Sequence, residues 1–183
     1  CGNLFDIHPS PYFGKISARF NTYPSGHISG RSDWWHHTRD SNYIGPGSNE
    51  LELFKAGYPP MSLTDTCGML HDTSFSLSRN RADNLTAERA FGKNLMRMVT
   101  HFGEPYSNIR TAYTMQQIGE WLGTNAGSEG KNLREMKSSG MWATNRPVYE
   151  RLLSSLKASG LGLDFGFLEA FHDDGNSFNL ASL

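Results

Sequence analysis

The chain has 183 residues, enough for one domain with a real core, and its composition (37% hydrophobic, 19% charged, mean hydropathy −0.52) is polar but foldable. A formal net charge of −1 and a pI near 6.7 give no global basic field to draw the chain onto nucleic acid or an anionic membrane. Two cysteines, Cys1 and Cys67, are too few for a small disulfide-stapled scaffold, and no run approaches the roughly 18 apolar residues of a membrane span.

Residues 1–41 carry Pro9, Pro11, Gly14, Pro24, Gly26 and Gly30, too much punctuation for long helices. They read as an irregular arm that packs through Phe5, Tyr12, Phe13, Phe20 and Trp34. Within it, Trp34-Trp35-His36-His37 invites a transition-metal assignment, but adjacent histidines seldom chelate one ion and no Cys or carboxylate cluster is near. A glycine loop follows, Tyr43-Ile44-Gly45-Pro46-Gly47, and then a proline-rich connection ending in Pro59-Pro60.

Ser62-Leu63-Thr64-Asp65 matches a capping box, so a helix is predicted from there to about residue 78. Asp65 reads first as a helix-cap residue and second as a contact to the glycine loop, and Cys67 as a small core residue. Residues 79–83 read as a polar turn. A second helix is predicted over 84–102, with Leu85, Phe91, Leu95, Val99 and Phe102 on its apolar stripe and Gly103-Glu104-Pro105 as its stop. The short turn makes the pair antiparallel. Further helices are expected at 108–122 and at 146–158, the latter with Asn145 as cap and Pro147 in its first turn. Residues 123–140 read as a polar segment with one short helical turn, and the pattern weakens from Gly160 onward. Asp173-Asp174-Gly175-Asn176 lacks the bidentate glutamate of a calcium loop and reads as a solvated turn. The expected class is mainly α. The organisation is an irregular arm (1–41), a core with two antiparallel helices (42–102) and a helical extension packed on it (103–183).

Chemistry concentrates between Tyr43 and Asp72. The carbonyls of Tyr43, Gly45 and Gly47 alternate along a tight loop and can converge on one point, while Asp72 supplies a carboxylate from the following helix. Hard oxygen donors of this kind suit calcium. His71 is adjacent to Asp72, about 100° away around the helix, so it can face a water beside the metal and act as general base. The base needs a carboxylate on its other nitrogen, and the antiparallel helix offers Asp83 and Glu88. Glu88 is favoured, because it is closer to His71 in height and stands on an apolar stripe where an acid needs a partner.

These residues carry a resemblance. Tyr-x-Gly-Pro-Gly followed by a helix with Asp65, His71 and Asp72 resembles the calcium-dependent phospholipase A2 superfamily, and within it the cysteine-poor domain of parvovirus minor capsid proteins. Ala87-Glu88-Arg89-Ala90-Phe91 fits the family's Ala-Asp-x-x-Phe frame with Glu for Asp. The similarity spans residues 42–91. It implies calcium held by Tyr43, Gly45, Gly47 and Asp72, with His71 as base and Glu88 orienting it. It also implies hydrolysis of the sn-2 ester of phospholipids at a membrane surface, without nucleic acid. The viral form implies a virion component acting at a host endosomal membrane, with other capsid proteins as partners; otherwise a secreted enzyme is expected. Two departures weaken the supporting shell: Phe75 stands where the family has a tyrosine, and Glu88 is one methylene longer than the usual aspartate. They leave a catalytically weak or silent lipid-binding module as the alternative.

Overall fold

The computed structural model describes Tyr43, residues 50–55, Gly57, Pro60, residues 62–106, Ile109 and residues 131–171. The predicted arm (1–41), the glycines of the loop, most of the expected helix 108–122 and the 173–176 turn lie outside the described residues. The described part is mainly helical, with no strand among those residues. Among the described residues five helices, α1 (Glu50–Lys55), α2 (Leu63–Leu77), α3 (Arg81–Phe102), α4 (Lys131–Ser139) and α5 (Met141–Lys157), precede a 3-10 turn, Gly166–Ala170.

The start of α2 is capped as expected, since Ser62 is extended and its Oγ accepts the Asp65 N–H at 3.0 Å. Glu104, just past α3, adds a second cap: its Oε2 accepts both the N–H (2.7 Å) and the hydroxyl (3.0 Å) of Thr64. A carboxylate is favoured at a helix N-terminus, so this bond ties the open end of the antiparallel pair. At the closed end, α3 begins earlier than the sequence pattern suggested. Asn80 is its cap, with Oδ1 accepting the Asp83 N–H at 2.9 Å, and residues 81–83 are its first turn rather than a loop. Asp83 in turn binds the backbone N–H and guanidinium of Arg79 at 2.9 and 3.0 Å. The far end of α3 stops at Gly103, whose left-handed φ of 71° lets its N–H reach Val99 O and lets Glu104 N–H reach Met98 O.

The stripe on α3 differs from the sequence reading. Ala87, Phe91, Leu95 and Met98 are buried, together with Asn84 and Asn94, whereas Leu85 is 46% and Phe102 41% exposed. The inward face therefore runs through 84, 87, 91, 94, 95 and 98, a continuous line at helical spacing that excludes 85. The middle helix, α2, is buried on most sides: α3 covers one, and α1, α4 and α5 cover others. Cys67, Met69, Leu70 and Leu77 fill that core, and burial pushes the Cys67 thiol pKa far up, with Glu104 and Asp65 adding to it, so it is an inert packing residue.

Three elements were under-read in the sequence. The connection 48–60 contains α1, where Leu51 is buried and Phe54 packs at i+3 against the core. Segment 131–139 is the full helix α4, held by buried Leu133 and partly buried Met136. Helix α5 starts at Met141, so Asn145 and Pro147 are interior positions and the N-cap is Gly140, whose φ of 78° separates it from α4. Packing through Trp142, Val148, Tyr149, Leu152 and Leu153 outweighs the bond that Pro147 removes.

From Gly160 onward the chain docks along α3. Leu161, Leu163, Phe165, Leu168 and Phe171 are buried, and Arg97 Nε donates to Leu161 O at 2.7 Å. Asn94 grips the backbone of Asp164 at both ends, donating to its carbonyl (2.9 Å) and accepting its N–H (2.7 Å). Asn94→Ala leaves those two backbone groups without their partner, and the expected loss is about 1–3 kcal/mol. Urea unfolding reads it as a lower midpoint at unchanged slope, and a loss below about 0.5 kcal/mol would mean that apolar contacts alone hold the segment.

Candidate active site

The turn between α2 and α3 is short, so His71 on one helix and Glu88 on the other stand at nearly equal distance from it. His71 Nε2 lies 2.9 Å from Glu88 Oε1, and the imidazole is only 4% exposed. Asp83, the other candidate orienting acid, is occupied with Arg79 at the turn. The second ring nitrogen, Nδ1, is 3.5 Å from Asp72 Oδ1, and Asp72 is 22% exposed, which leaves this side of the pair open toward solvent. Phe75 and Phe91 lie against the imidazole with ring centroids at 4.5 and 4.6 Å. Phe75 therefore supplies apolar packing where a tyrosine would also supply a hydroxyl.

Burial alone would lower the pKa of His71, but hydrogen bonds and charge from Asp72 and Glu88 outweigh it and raise the value from 6.5 to about 9. With both carboxylates turned to it, the ring is an imidazolium at neutral pH. A proton acceptor is available at Nδ1 only when Asp72 is engaged elsewhere, while Glu88 holds Nε2.

The metal-ligand candidates divide. Gly45 and Gly47 lie outside the described residues. Tyr43 is buried, and its N–H donates to Asp65 Oδ1 at 2.8 Å, so the contact between Asp65 and the loop is present. At the other end of the same segment, Glu50 Oε1 accepts the Ser76 hydroxyl. Asp65, Asp72 and Ser76 are seven and four residues apart, which puts all three on one stripe of α2 over about three turns. The two described ends of the loop segment are thus anchored on α2 on either side of Asp72 along the axis. Among the described residues no group of three or more His, Cys, Asp or Glu surrounds one point, as transition-metal sites require. A calcium site of backbone carbonyls and one carboxylate does not need such a group, and of the candidate ligands Tyr43 and Asp72 are among the described residues.

Sequence reasoning missed Glu50 and Glu104. Glu50 is buried next to the Asp72 stripe, and its pKa rises from 4.5 to about 7, first through desolvation and then through the charge of Asp72. The signal for it was the amphipathic run Glu50-Leu51-Glu52-Leu53-Phe54, passed over because prolines follow it.

The raised pKa of His71 has a consequence for stability. Because the folded value exceeds the unfolded one, the imidazolium stabilises the fold fully below about pH 6.5, and that contribution is lost as pH rises through about 9. Glu88→Gln and Asp72→Asn should each move the NMR titration of His71 down toward 6.5 and flatten the pH dependence of unfolding across this window. A midpoint that stays near 9 in both variants would contradict the geometry.

Among the described residues no helix is long and apolar enough to cross a membrane. Comparisons with protein-family models, with curated proteins and with solved structures found no match, so the chemistry of this site is inferred from its residues and their arrangement.

Proposed function

We propose that the chain is a calcium-dependent phospholipase A2-like hydrolase that cleaves the sn-2 ester of phospholipids at a membrane surface. The observation that carries this is the His71 imidazole, bonded to Glu88 through Nε2, with Asp72 beside Nδ1. Asp72 and the carbonyls of Tyr43, Gly45 and Gly47 would hold calcium, which when bound supplies positive charge to polarise the ester carbonyl. Asp72, serving as a ligand, would no longer pair with Nδ1. His71 then accepts a proton from the attacking water at Nδ1, and Glu88 keeps the Nε2–H oriented and stabilises the imidazolium that forms. Phe75 and Phe91 exclude water from the flanks of the ring. The resemblance to the viral capsid form supports action at a host endosomal membrane, with a secreted enzyme as the other setting, and capsid proteins as partners.

A specific observation favours a second possibility, a catalytically silent phospholipase-like module that binds lipid. Both ring nitrogens of His71 face carboxylates and the pKa is about 9, so a site that never releases Asp72 would keep the base protonated.

Fatty-acid release from phospholipid vesicles separates the two. The enzyme requires calcium, stops in chelator, and loses at least about 100-fold in His71→Gln, the scale of a positioned general base. Glu88→Asp should retain more activity than Glu88→Gln. Hydrolysis that persists in chelator or in His71→Gln contradicts the mechanism, and calcium-dependent vesicle binding without hydrolysis identifies the silent module.

A further inference from the structure

The outer side of α3 gathers most of the exposed apolar surface. Five large hydrophobic side chains are exposed among the described residues, and four of them, Leu85, Met96, Phe102 and Tyr106, lie on α3 or just past its end. Leu85 and Met96 are each 46% exposed. They are eleven residues apart, so they stand on one stripe about 16 Å long. Single apolar residues on a surface are ordinary, but a pair in line beside cations is a pattern.

The same side of the helix is basic. Helix α3 carries Arg81, Arg89, Lys93 and Arg97 against two acids, Asp83 and Glu88. Both acids are engaged within the fold, Asp83 with Arg79 and Glu88 with His71. Arg89 lies one turn after Leu85 and Lys93 three residues before Met96, so the two cations flank the apolar stripe. Both are exposed, and the 3.6 Å pair of Lys93 with Asp164 is a solvent-facing one that holds the ammonium weakly. The whole chain has a net charge of −1, so this positive potential is local to α3. Glu88, three residues after Leu85, puts the candidate active site at the edge of the same face.

Three partners compete for such a surface. A second copy of the chain, paired through this face, would set Arg89 and Lys93 against their own like charges. A nucleic acid would satisfy the cations, but Leu85 and Met96 would gain nothing from phosphates. An anionic bilayer satisfies both halves, because head groups take the cations while the acyl boundary takes the apolar pair.

We propose that the outer face of α3 is a docking surface for an anionic lipid bilayer, with Leu85 and Met96 entering the head-group region and Arg89 and Lys93 meeting the lipid anions. The inference deepens the lipid reading above by naming the charge of the membrane, and it rests on that reading for the choice of a bilayer. The face itself uses neither calcium nor His71, so docking and hydrolysis can fail separately.

Co-sedimentation of the full chain with vesicles in chelator tests it. Phosphatidylcholine vesicles that contain phosphatidylserine should retain the chain, and phosphatidylcholine alone should retain it at least 10-fold less. Raising salt from about 0.1 to about 1 M shortens the screening length from about 10 to about 3 Å and should weaken retention at least 10-fold. Arg89→Gln and Lys93→Gln should each cost about 5-fold, the scale of one basic residue near an anionic leaflet. Leu85→Ser combined with Met96→Ser should cost at least 10-fold. All four positions are exposed, so the thermal midpoint should stay near that of the parent chain. A matched control on α4 and α5, Arg134→Gln with Arg151→Gln, should bind as the parent does. No retention on phosphatidylserine vesicles overturns the proposal. So does an equal loss in the control pair, or a DNA duplex bound as tightly as the vesicles. Retention without hydrolysis in calcium supports the docking face and sinks the chemistry of His71, whereas hydrolysis with retention indifferent to all four substitutions does the reverse.

Discussion

Burying His71 carries a desolvation cost that two carboxylates offset together, Asp72 beside it on α2 and Glu88 reaching across from α3 at 2.9 Å, and the Glu88 contact depends on the register of α2 on α3. A slip of one residue along either helix would rotate one partner by about 100° and break it. Two devices fix the register. At one end the turn is cut to the minimum by Asn80 capping α3 and by Arg79 folding back on Asp83. At the other, Glu104 caps α2 from beyond the end of α3. Between them, Cys67, Leu70, Phe91 and Leu95 pack in the core, and two phenylalanine rings close on the imidazole.

The same helix carries Asp72, the proposed metal ligand. Asp72 follows His71 directly, so one rigid element sets the proposed base and the proposed ligand relative to each other, and neither depends on a loop for its position. Tyr43 and Glu50, the described residues on either side of the loop, reach Asp65 and Ser76 on the Asp72 stripe. Charge couples these positions. Asp72 raises both the imidazole beside it and the Glu50 carboxyl behind it, so engaging Asp72 with a cation would relax both at once.

The pairing of His71 with Glu88 was legible because it needs only two facts a sequence carries: helical periodicity and a short turn. The cap at Ser62 and the stop at Gly103 were legible for similar reasons, as local chemistry. The start of α3 was misplaced because Asn80 and Asp83 read equally well as turn residues, and only the Arg79 contact makes Asp83 the first-turn acid. Leu85 was put inside by hydropathy, yet the buried line runs through Asn84 and Ala87, where polar and small side chains suit close packing. Helix α4 and the docked segment after Gly160 were hidden because their order comes from distant partners: Leu133 from the α2–α5 face, and Asp164 from Asn94, seventy residues away in sequence. No local pattern records such bonds.

Direct calcium titration of the full chain by calorimetry tests whether α2 presents a hard-cation site beside His71. One calcium site is expected, lost in Asp72→Asn and weakened in Asp65→Ala, which removes the acceptor of the Tyr43 N–H, while His71→Gln retains it. Absence of binding, or binding indifferent to Asp72→Asn, would contradict it.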